Sequence, residues 1–129
     1  MKKIVLAASI AFAPTASQAD TVENAKDLLS QWQPASVSLT DNGILRVVLN
    51  EKRISDSMYY AVIQGFCFAP LLQMSVSGVE SVFVLNKLET QGWLFESGVG
   101  SCDTINNASN ARVVIAGSTS THTDTANGL

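Results

Sequence analysis

Along the 129 residues the spacing of apolar positions changes several times, and each change marks an element. The first apolar run, Ile4 to Ala13, follows Met1-Lys2-Lys3 and leads into Pro14 to Ala19, with small residues at Ser17 and Ala19. A basic start, a short apolar run and small residues two apart make the pattern of a secretory signal peptide over residues 1–19, with cleavage expected between Ala19 and Asp20. Ten residues are about half of what a bilayer-spanning helix needs, so a stop in the membrane is not expected. Lipid attachment would want a Cys directly after the cleavage point, and the first Cys is Cys67.

From Asp20 the spacing becomes helical. Val22, Ala25, Leu29 and Trp32 recur at three and four, Asp20 and Glu23 are placed as a capping pair, and Pro34 stops the run, which predicts a helix over 21–33. At Ala35 the period drops to two. Val37 and Leu39 alternate with Ser36, Ser38 and Thr40, then Asp41-Asn42-Gly43 supplies a turn before Ile44 to Asn50. This is a hairpin with Leu45, Val47 and Leu49 on one face and Arg46, Val48 and Asn50 on the other. Ser55 caps a second helix, with Ile54 and Tyr59 spaced as a hydrophobic staple and Val62, Ile63, Phe66 and Cys67 in the same stripe, ended or kinked by Pro70.

A second hairpin follows from Val79 to Leu88 and from Trp93 to Glu96, turning at Glu89-Thr90-Gln91-Gly92. The centre of its first strand, Val82-Phe83-Val84-Leu85, is apolar on both faces, as in a strand covered on both sides and central in its sheet. Asp103 to Asn110 reads as loop or a short helical turn, Arg112 to Ala116 as a brief edge strand, and the Ser/Thr-rich residues 117–129 as a disordered polar tail. The fold class expected is therefore α+β: one domain over 20–116, in the order helix, hairpin, helix, hairpin, with an antiparallel sheet packed by helices on one face.

Composition narrows the function. Eight Lys and Arg against 11 Asp and Glu give −3, and removing residues 1–19 takes Lys2 and Lys3 and no acid, so the remaining 110 residues carry −5. Such a balance argues against a nucleic-acid partner and for a protein partner of basic character. The short basic start suits a bacterial export signal, which would place the protein in the periplasm or outside the cell. Cys67 and Cys102, the two cysteines, are expected to form one structural disulfide in that oxidising setting. Asn107-Ala108-Ser109 matches a glycan acceptor, a modification of eukaryotic secretion.

No phosphate loop, dinucleotide glycine motif, His-Glu-x-x-His helix or nucleophile elbow occurs, and the single His122 lies far from both Cys in sequence, so neither catalytic residue, nor metal site, nor cofactor is assigned. The carboxylates Glu96 and Asp103 are the one pair to weigh for glycan hydrolysis. Trp93, Phe95 and Glu96 form the candidate binding surface, because aromatic anchors dominate protein interfaces. The function expected is that of an exported small protein that binds another protein, as an inhibitor or immunity-type module or, alternatively, as an accessory subunit of an envelope or secretion assembly. In size and address it is similar to bacterial periplasmic lysozyme inhibitors and immunity proteins, without sharing a motif with them.

Overall fold

The computed structural model describes residues 13–123, and α1 (Ala13–Leu28), which opens it, continues through a 3-10 turn at Ser30–Trp32. The helix does not start at Asp20 as the capping pattern suggested. With the chain continuous at Ala19, the residues before Asp20 prolong the helix, and Asp20 lies within it rather than at its cap. Ala25 and Leu29 point into the core, and Gln33, in a left-handed conformation, turns the chain into Pro34.

Strands β1 (Ser36–Leu39) and β2 (Ile44–Val48) form the first hairpin, with Val37 opposite Val47 and Leu39 opposite Leu45. Its tight loop needs Gly43, whose φ of +85° lies in the left-handed region and which leaves no room for a Cβ beside Glu80. α2 (Asp56–Phe66) starts where the sequence placed it: the Ser55 hydroxyl accepts from Met58 N at 3.2 Å, and Ile54 and Tyr59 are both fully buried. Strands β3 (Ser81–Leu85) and β4 (Gln91–Phe95) form the second hairpin.

The sheet is mixed, not antiparallel. Its order is β1-β2-β3-β4-β5, and β2 and β3 run parallel, with Leu45 beside Val82 and Val47 beside Val84. The reason is α2, which carries the chain back along the sheet between the hairpins, so the second begins in the direction in which the first ended. β3 is the central strand, as its unbroken apolar run suggested, but only its Val82 and Val84 side joins the core under the helices.

After β4 come a 3-10 turn (Val99–Ser101) and two short helices, α3 (Cys102–Asn107) and α4 (Ala111–Ala116). The edge strand expected over Arg112 to Ala116 is thus a helix. As a strand it would put Val113 and Ile115 on one face; instead Ile115 is fully buried while Val113 is 66% exposed. The edge belongs to β5 (Thr119–Thr123), antiparallel to β4, drawn from the stretch expected to be disordered. Its threonines are polar, hence the disordered reading, but β-branched, hence the strand. The rest of that stretch, 124–129, lies outside the described residues, as do residues 1–12 of the expected signal peptide.

The core joins Leu45, Val47, Val82, Val84 and Phe95 of the sheet to Ala25 and Leu29 of α1 and to Tyr59, Val62, Ile63 and Phe66 of α2. Cys67, just past α2, and Cys102, at the start of α3, are both buried and joined in a disulfide. No helix among the described residues is long and apolar enough to cross a membrane.

A candidate binding face

Strand register divides the sheet into two faces. One carries Val37, Leu45, Val47, Val82, Val84, Trp93 and Phe95 and lies under the helices. The other carries Ile44, Arg46 and Val48 on β2, Ser81, Phe83 and Leu85 on β3, Gly92 and Leu94 on β4, Ser120 and His122 on β5, and Ser36 and Ser38 on β1. None of these joins the main core. Val48 and Leu85 are buried outside it, while Ile44, Arg46, Phe83, Leu94 and His122 are half-buried.

A side-chain network crosses this open face. The Arg46 guanidinium pairs with the Glu89 carboxylate and lies 5.8 Å from the centre of the Phe83 ring, within cation–π range. His122 meets the same ring edge-on, centroids 4.9 Å apart, and its Nε2 is 3.4 Å from Glu89 O. His122 reaches Phe83 from two strands away because the strand between them has no side chain in its path. Gly92 stands beside His122 in the register, and a Cβ there would fall 2.0 Å from Val84 O.

Glu89 is brought over this face by Asn86. That side chain is buried, donates to Lys52 O at 2.8 Å and accepts from Thr90 N and Gln91 N at 2.8 and 3.0 Å, which fixes the β3–β4 loop. Glu89 itself takes a left-handed φ of 61°, turning its carboxylate back over the strands.

The opposite face holds two of the residues singled out in the sequence. Phe95 is 1% exposed beneath the helices. Trp93 is half-buried, stacks on Tyr59 with centroids 5.6 Å apart, and donates from Nε1 to Ile54 O at 2.9 Å. Glu96 is exposed just beyond the strand, so the three do not make one surface. Asp103 is exposed as well, and neither carboxylate has the apolar enclosure that sets a catalytic acid apart. Among the described residues no group of three or more His, Cys, Asp or Glu is placed to hold a metal ion.

The Tyr59 phenol is buried between α2 and the sheet. Burial pushes its phenol up to about 12, with Tyr60 and Glu96 adding to the rise and the Thr119 hydroxyl opposing it. Its hydroxyl donates to Thr119 Oγ1 at 2.6 Å, which donates in turn to Ile115 O at 2.7 Å, so the residue ties α2 to α4 and β5. This is a structural chain.

Arg46, Phe83, Leu94 and His122 were not singled out in the sequence. The alternation in β2 put Arg46 opposite the core positions, but β3 is apolar at every position and gives no sign of which side Phe83 takes. Compared with protein-family models, with curated proteins and with solved structures, the chain matches none, and what this face does is therefore read from its geometry.

Proposed function

We propose that the chain is an exported binding module that docks onto another protein through the open face of its sheet. The observation that carries this is the make-up of the face: half-buried Ile44, Phe83 and Leu94 around one ion pair, Arg46 with Glu89, on paired strands. Interface centres are poor in charge and rich in aromatic side chains and Arg, which matches this set. Arg46 and His122 are oriented before any partner arrives, which lowers the ordering cost of binding. The disulfide suits the oxidising compartment to which the leading segment points.

The partner that fits is a basic protein. With a charge of −3 for the whole chain, or −5 without residues 1–19, the protein attracts cations at long range, while the neutral face supplies the short-range contact. An inhibitor or immunity-type module acts in this way, and so does an accessory subunit of an envelope assembly.

The test is a photo-crosslinking residue placed at Leu94, on the face, or at Glu23, on the far side of α1, in cells of the source organism. A discrete adduct is expected from position 94 and none from 23. Phe83→Ala should cut the adduct at least about tenfold, the loss typical of an interface anchor, with the melting transition retained. Absence of any adduct overturns the proposal. So does an adduct insensitive to Phe83→Ala but abolished by Leu71→Ser with Leu72→Ser, since these exposed residues of the turn after α2 would then be the docking surface.

A further inference from the structure

Among the described residues β5 is an edge strand without the devices that keep edges from pairing. The other edge, β1, has only four residues, follows Pro34 and is packed by α1. β5 has five residues, and no Asp, Glu, Lys, Arg or Pro occurs from Val113 to Thr123. Charge, Pro, bulges or a covering element are the usual protection of an exposed edge.

The register shows which backbone groups the edge offers. Glu96 N donates to Ser118 O at 2.7 Å, so Glu96 and Ser118 face each other as a hydrogen-bonded pair, and the alternation carries on to Leu94 with Ser120 and to Gly92 with His122. The N–H and C=O groups of Thr119, Thr121 and Thr123 therefore point away from β4, along the free edge. Thr121 and Thr123 lie on the helix side of the sheet and are nevertheless exposed, so none of the described helices overhangs that edge.

We infer that this edge pairs with β5 of a second copy of the chain, antiparallel about a two-fold axis at Thr121. The strand reads Thr-Ser-Thr-His-Thr, nearly the same in both directions. Pairing about its centre sets Thr121 against Thr121 and Thr119 against Thr123 twice, and these are the residues whose backbone groups face outward. Each of these three pairs is thus a hydrogen-bonded one, with threonine opposite threonine, a favourable cross-strand match. Ser120 meets His122 on the open face. None of the paired residues, Thr119 to Thr123, carries a formal charge. The product is a continuous ten-stranded sheet whose two open faces lie side by side, each with its Arg46, Phe83 and His122.

Sedimentation of the full chain over a concentration series should show reversible dimerisation. Thr121→Pro removes only an outward N–H, and Thr121→Lys adds an edge charge; each should weaken association at least about tenfold while leaving the melting transition of the dilute protein in place. Thr121→Cys should cross-link to a covalent dimer on oxidation, since facing residues of such a pair lie about 5.5 Å apart, within disulfide range, whereas Ser38→Cys on the other edge should not. A chain that stays monomeric at several hundred micromolar with no Thr121→Cys dimer overturns the inference. A dimer unaffected by both Thr121→Pro and Thr121→Lys overturns it equally.

Discussion

The side chain of Gln91 holds the backbone of Ile54 at both ends, donating from Nε2 to Ile54 O at 2.8 Å and accepting from Ile54 N at 2.6 Å. Trp93 adds a third bond to Ile54, the second to its carbonyl. The residue that leads into α2 is thereby tied to β4, far away in sequence. Gln91→Leu keeps the bulk but leaves the Ile54 N–H, in a fully buried residue, without its partner. A loss of about 2 kcal/mol in urea unfolding is expected, the scale of an unsatisfied buried polar group.

Cys67 and Cys102 are 35 positions apart, and their bond encloses the whole second hairpin. Chain-entropy reasoning gives such a loop about 4 kcal/mol. Replacing both cysteines by Ala should lower the unfolding free energy by about that amount and make the variant insensitive to reductant, whereas the parent chain should lose stability when reduced.

The Tyr59 phenol is raised from 10.0 to about 12 in the fold, first of all by burial. Below pH 10 the group is neutral folded and unfolded, and its contribution is whole. Between pH 10 and about 12 the unfolded chain gives up the proton while the folded chain keeps it, so stability falls as the pH rises through this window. Tyr59→Phe should be less stable at neutral pH for want of the bond to Thr119, but should show a shallower decline above pH 10. Parallel denaturation series at pH 8, 10 and 11 would measure the difference in slope.

Gly92 is fixed by contact with β3. A methyl group there would stand 2.0 Å from Val84 O and 3.0 Å from Leu85 Cα, both backbone atoms that cannot swing aside. Gly92→Ala should cost about 3 kcal/mol or more and disturb the β3–β4 pairing, visible as lost amide protection in hydrogen exchange across those strands.

Local chemistry made much of this fold legible. The Ser55 cap, the turn at Gly43, the central place of β3 and the disulfide all follow from short stretches of sequence. What stayed hidden depended on distant partners. Val113-Val114-Ile115 has strand composition, yet α4 forms because one wide side, led by Ile115, packs inward. Thr119 to Thr123 has the composition of a tail and becomes a strand because the free edge of β4 is there to pair with it. Trp93 and Phe95 were the conspicuous aromatics, but the sequence does not say which face the helices cover, and they lie on the covered one. Phe83, one position out of phase with the core residues of β3, is left on the other.

The parallel seam between β2 and β3 has a consequence for how fast the chain folds. Each hairpin joins neighbours in sequence and closes on a scale of about 1–10 µs. The seam joins Leu45 to Val82, 37 positions apart, and is made only when α2 has brought the second hairpin back alongside the first. Loop-closure entropy falls on that step before any of its burial is gained. The refolding rate should accordingly be set in the middle of the sheet, and stopped-flow refolding is expected to respond more to substitutions at Val47 and Val84 than to changes in either hairpin turn.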